Sequence, residues 1–194
     1  MKKVLSLFLM CSMLFALSTT ALAATPEKEP SNTSFEISLE EALAAADPED
    51  VHTQNGVTTI PVTLNVNDEV YTEIVIHVSD MNRATAKSFS MEGWFRLKSN
   101  KEIVTVYGLE GTFEYTGSKA TPTGSSAYHN SAASGRTGTY NINESEDDNG
   151  GASITANYTC YHDGKVDSTG SCTAECTKNG SISFSGNYDE STII

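Results

Sequence analysis

The sequence predicts an all-β fold, an antiparallel β-sandwich of immunoglobulin-like layout with one short N-terminal helix. Three observations predict it. From Gly56 onward apolar residues recur at every second position, the period of a strand with one buried face and not the 3.6-residue period of a helix. Short polar segments such as Val66-Asn67-Asp68, Lys98-Ser99-Asn100 and His162-Asp163-Gly164 interrupt these runs, as hairpin loops do. The 194 residues suffice for one hydrophobic core and are short for two.

The chain opens with Lys2 and Lys3, an apolar run from Val4 to Leu17, and Ala21-Leu22-Ala23. That order of basic, apolar and small segments is a secretory signal peptide over residues 1–23, cut between Ala23 and Ala24. The run is shorter than the roughly 20 apolar residues a spanning helix needs, so the expectation is a secreted, extracellular protein with no membrane insertion after cleavage. Cys11 follows Leu9 and Met10 in mid-run and reads as part of the apolar segment, not a lipid attachment point. A plain Lys-Lys start and a short leader suit a bacterium.

Residues 24–34 hold two prolines and almost nothing apolar, which predicts a flexible lead-in before a single β-rich domain over 35–194. Ser38 and Glu41 have capping-box spacing, and the Ala, Leu and Glu of Leu39–Ala46 end at Asp47-Pro48, which predicts the one helix. Ile60, Val62 and Leu64, then Val70, Ile74 and Ile76, alternate with polar residues. A loop at Val66-Asn67-Asp68 would pair Leu64 with Val70 and Ile60 with Ile74. By the same test, Lys98-Ser99-Asn100 would pair Phe95 with Ile103, Met91 with Tyr107 and Trp94 with Val104. His162-Asp163-Gly164 would set Cys160 opposite Val166.

Residues 117–136 are rich in Gly, Ser, Ala and Thr and read as a long mobile loop or a concealed edge strand. Strands resume at 137–143, 152–161, 166–177 and 181–188, giving seven or eight in all. The paired cysteines and central tryptophan of true immunoglobulin domains do not occur as a set.

Cleavage of the leader removes two lysines and no acid, so the mature chain is two units more negative than the −13 of the full sequence. Such a field repels phosphate backbones and anionic lipids, which argues against nucleic-acid partners. Cys160, Cys172 and Cys176 remain after cleavage. The tight Asp-Gly turn separates Cys160 from Cys172, whereas looping out Asp163–Thr169 sets them opposite each other. The exported compartment favours that second arrangement and makes Cys160–Cys172 the candidate disulfide, with Cys176 a buried apolar residue. His52, His77, His129 and His162 lack metal-ligand spacing, and no nucleophile elbow, zinc-binding helix or phosphate loop occurs. No cofactor is implied.

Glu92, Glu110 and Glu114 fall on the outer face of one hairpin beside Trp94, where paired carboxylates could serve a glycan hydrolase. The acidic run Glu144–Gly150 lacks the alternating ligand spacing of a calcium loop. Trp94, Val104 and Val106 project from the same outer face, and an apolar outer face must be covered or offered to a partner. The first expectation is therefore a non-enzymatic binding module for a protein or glycan, with Trp94, Val104 and Val106 as the candidate surface. A carboxylate-based glycan hydrolase and a small acidic inhibitor or immunity-type protein are the alternatives.

Overall fold

A computed structural model describes residues 32–66, 68–80, 85–130 and 136–189. The leader and residues 24–31 of the lead-in lie outside the described residues. The elements are β1 (Asn32–Ser38), α1 (Leu39–Ala45), β2 (His52–Gln54), β3 (Val57–Asn65), β4 (Val70–Asp80), β5 (Ala86–Leu97), β6 (Ile103–Tyr115), β7 (Ala120–Asn130), β8 (Arg136–Glu146), β9 (Ala152–His162), β10 (Lys165–Cys176) and β11 (Ile182–Asp189).

The strands form two antiparallel sheets, one ordered β2-β3-β4-β5-β6-β7 and the other β1-β11-β10-β9-β8. The predicted all-β sandwich is the observed fold, but its layout is not immunoglobulin-like. An immunoglobulin domain moves successive strands between sheets, whereas here β2 to β7 is one meander, β8 to β11 is a second, and β1 joins the edge of β11. Among the described residues no helix is long and apolar enough to cross a membrane.

Helix α1 begins as expected. The Ser38 hydroxyl accepts from the Glu41 amide at 3.2 Å while the Glu41 carboxylate accepts from the Ser38 amide at 2.8 Å, satisfying two donors that a helix start leaves open. Ala42 is fully buried and turns the helix toward β3, β1 and β11.

All three hairpins occur, each with a register different from the expected one. In β3–β4 the Val66 amide donates to the Val70 carbonyl at 3.2 Å, so the loop begins one residue later and Ile60 faces Ile76 while Leu64 faces Thr72. In β5–β6 the loop spans 98–101 with Lys101 left-handed at φ 62°, and Val104 is an extra residue that shifts the register. Phe95 therefore faces Thr105, Met91 faces Leu109 and Trp94 faces Val106. In β9–β10 Asp163 and Gly164 form a two-residue turn, both at positive φ, and a bulge between Val166 and Ser168 sets Cys160 opposite Ser168. Moving a pairing by two residues leaves every side chain on its original face, so beyond the bulges the buried faces agree with expectation although the partners do not. Between bulge and turn the shift is one residue, and Ile103 stands opposite Arg96 and the exposed Val166 opposite Tyr161 instead of facing inward.

The 117–136 segment is not a single long loop, because β7 occupies 120–130 and pairs along β6. Its buried positions include Ala120 and Ala127, which are too small to give a visible apolar alternation. Pro122 sits beside the register shift of this edge strand, a position that tolerates proline.

Rings from both sheets meet in the core. Phe95 on β5 lies 6.3 Å from Phe35 on β1 and 5.5 Å from Tyr188 on β11, centroid to centroid. Phe89 similarly meets Phe184 of β11 at 5.7 Å. Phe95 is 1% exposed, so Phe95→Ala is expected to destabilise the fold by about 3–5 kcal/mol, the range for buried aromatic truncation. Urea unfolding checks this; a loss below about 1 kcal/mol would contradict the packing described.

Candidate functional site

With the inner faces committed to the core, the two outer faces are what the strands offer to other molecules, and they differ in chemistry. Across the five-stranded sheet the register aligns short polar side chains in rows, such as Asn143, Thr155, Thr173 and Ser185, and Thr155 and Thr173 satisfy each other at 2.9 Å. The six-stranded sheet instead carries rows of mixed size and charge. One row runs Thr63, Glu73, Trp94, Val106; the next runs Pro61, Val75, Glu92, Gly108, Tyr128; a third runs Thr59, His77, Ser90, Glu110, Ser126.

His77, Ser90, Glu110 and Ser126 of that third row, and the next row, Val57, Ser79, Ser88, Thr112 and Gly124, line an open trough of about 470 Å³ that crosses β3 to β7. The small side chains leave the space, and larger neighbours raise its margin. Within it the Thr59 hydroxyl meets His77 Nδ1 at 3.0 Å, Ser88 and Thr112 share a hydrogen bond of 2.8 Å, and Ser126 donates to Glu110 at 3.1 Å. Beside the trough Tyr128 lies flat over Gly108, where any Cβ would collide with its ring. Partial burial, and then its hydrogen bond to Glu92, hold the Tyr128 phenol protonated far above neutral pH.

Trp94 is half-buried on this face and lines a second hollow of about 400 Å³, shared with Ala46, Asp47, Asp50, Pro61 and Val75. Glu73 next to it is held by Arg96 at 2.6 Å. Val106 is only 9% exposed, so it presents little surface. Val104 is the bulge residue, and its side chain lies outside the described residues. Glu92 and Glu110 share the outer face on adjacent strands, while Glu114 lies further along β6 and is exposed. The features that sequence reasoning missed here are the trough and Tyr128, because both depend on β7.

The Cys160–Cys172 disulfide does not form. Cys160, Cys172 and Cys176 are buried free thiols, and Cys172 stands opposite Ala156, four residues along β9 from Cys160, roughly 13 Å at about 3.3 Å per residue. The carboxylates of the acidic run diverge. Glu144 accepts from Ser125 at 2.6 Å, Glu146 pairs with Lys119 at 2.7 Å, and Asp147 caps its own turn by accepting from the Asn149 and Gly151 amides. Among the described residues no group of three or more His, Cys, Asp or Glu is placed to hold a metal ion.

His52 and His162 are exposed, but His129 points inward from β7 to the junction with β8. Its Nε2 lies 3.0 Å from Cys160 Sγ and 2.9 Å from Thr105 Oγ1. Nothing in the spacing of the sequence links residues 129 and 160; only inward-facing β7 brings them together.

Comparison with protein-family models, with curated proteins and with solved structures finds no match.

Burial lowers the pKa of His129 from its ordinary value near 6.5. The titratable side chains packed on its ring are Cys160 and Tyr158. Below about pH 6.5 the unfolded chain binds a proton that the folded chain refuses, so stability is full above that pH and falls as pH drops toward the lower folded value. His129→Gln is expected to flatten this part of the profile in urea unfolding at pH 7.5, 6.5 and 5.5. An unchanged slope in the variant would contradict the assignment.

Proposed function

We propose that this chain is an exported, non-enzymatic binding module that takes a glycan across the outer face of its six-stranded sheet. The trough over β3 to β7 carries the reading. Ser79, Ser88, Ser90, Thr112 and Ser126 both donate and accept hydrogen bonds, matching the mixed demands of sugar hydroxyls, while Glu110 and His77 add stronger partners. Tyr128 stands beside it and Trp94 two rows away on the same face, lining the neighbouring hollow, as aromatic surfaces on which the apolar face of a sugar ring can stack. The acidic charge of the chain disfavours phosphate-bearing and anionic lipid ligands, which leaves neutral or basic glycans as the class that fits.

Glu92 and Glu110 are engaged by Tyr128 and Ser126, which supports binding over hydrolysis. The leader of basic, apolar and small segments supports export.

Ser90 sits at the centre of its row, so Ser90→Tyr fills the trough without touching the core. The variant is expected to lose about tenfold in retention on peptidoglycan, chitin or a soluble β-glucan, equivalent to about 1.4 kcal/mol, with its melting temperature nearly unchanged. Trp94→Ala is expected to weaken retention and to destabilise less than Phe95→Ala. Retention of none of these polysaccharides, or equal retention by Ser90→Tyr, would overturn the reading. Release of reducing ends that Glu92→Gln or Glu110→Gln abolishes would replace it with a hydrolase.

A further inference from the structure

We propose that Cys160 and His129 form a peroxide-reactive thiol–imidazole site at the junction of β7 and β8, taking small hydroperoxides such as hydrogen peroxide. The pair is assembled from three strands. Cys160 on β9 meets His129 on β7 at 3.0 Å, and Thr105 on β6 lies 2.9 Å from the same imidazole nitrogen and 3.7 Å from the sulfur. A thiol hydrogen-bonded to a neutral imidazole has its general base already in place.

Burial keeps that imidazole neutral at pH 7. The other ring nitrogen, Nδ1, is buried and has no hydrogen-bond partner among the described residues. When the thiol donates to Nε2, the ring proton resides on Nδ1, on the side of the ring away from the sulfur. Gly138 of β8 packs directly on this nitrogen, leaving no room for a Cβ, and is itself exposed. Solvent is therefore separated from the ring at this point by a residue without a side chain.

The void beside the pair is about 10 Å³ and is lined by Thr105, Tyr158, Cys160 and Ser168 among others. That is close to the least space that holds one water molecule, so small co-reactants, for which the lining has least to give way, are favoured over larger ones. Bulky disulfides are too large.

In the reaction His129 Nε2 takes the Cys160 proton as the sulfur attacks the nearer peroxide oxygen. The S–O bond forms and the O–O bond breaks, its electron pair passing to the distal oxygen. That oxygen takes the proton back from His129 and leaves as water. Cys160 is oxidised by two electrons to the sulfenic acid, and the peroxide is reduced by two. Among the described residues no imidazole is hydrogen-bonded to Cys172 or Cys176. Burial pushes the Cys172 thiol far up and that of Cys176 up to about 11, and Cys176 donates to the Thr177 carbonyl at 3.4 Å.

The test exposes the folded chain to hydrogen peroxide, quenches with catalase at timed points, unfolds the sample in dimedone so that access no longer limits trapping, and locates adducts by peptide mass. Cys160 is expected to be labelled at least about tenfold faster than Cys172 or Cys176, and His129→Gln to slow Cys160 by about tenfold or more, as loss of a positioned base does. Equal rates at all three cysteines, or undiminished labelling of Cys160 in a folded His129→Gln variant, would overturn the proposal. If His129→Gln fails to fold, the ranking of the three cysteines within the parent protein decides alone.

Discussion

The contact between Phe95 and the rings of the opposing sheet is the constraint on which the other features depend. A sheet has one face to bury, and the inward phase of β5 is set by Phe89, Met91 and Phe95, all nearly inaccessible. Once Phe95 packs on Phe35 and Tyr188, the opposite phase of β5, with Ser88, Ser90, Glu92 and Trp94, must face outward. The same packing brings β1 and β11 over β5, even though β1 is the first strand of the chain and β11 the last. An interaction between distant segments thus fixes which residues of β5 face outward.

The two sheets then part company. The five-stranded sheet satisfies much of its outer polarity internally, as in the Ser145–Ser153 and Thr155–Thr173 hydrogen bonds. The six-stranded sheet keeps large, charged and small side chains side by side, so its surface is relieved and not flat. Where β7 and β8 approach each other, side chains join them: Lys119 to Glu146 and Ser125 to Glu144. His129 lies at the same junction, which is why an imidazole with half its polarity unsatisfied can stand there beside a thiol.

Much of this architecture was legible in the residues. Ser38 and Glu41 announced the helix start, and the alternation around Ile60, Ile74, Met91 and Phe95 gave the correct buried faces. The partners across each hairpin were less legible, because a period of two is unchanged when a register moves by two residues. The loop shift after Val66 leaves the alternation of its strands intact, whereas the extra residue at Val104 puts Ile103 opposite Arg96 and Thr105 opposite Phe95, a reversal of face that the residue pattern does not announce. β7 was concealed because alanine and histidine occupy its inward positions in place of Val, Ile or Leu. Missing β7 also concealed the trough, Tyr128 and the His129–Cys160 pair. The Cys160–Cys172 disulfide was favoured by compartment, but the local geometry of an Asp-Gly turn prevailed, since two residues at positive φ close the hairpin too tightly for Cys172 to reach Cys160.

A glycan seated on the outer face of the six-stranded sheet, as proposed, would shield the strands beneath it. Hydrogen exchange of backbone amides, followed by mass spectrometry with and without a retained polysaccharide, tests this proposal most directly because it requires no substitution. Added protection is expected in peptides from β4, β5, β6 and β7 and none in β9 and β10. Protection confined to β9, β10 and β11, or an identical exchange pattern with the polysaccharide bound, would contradict it.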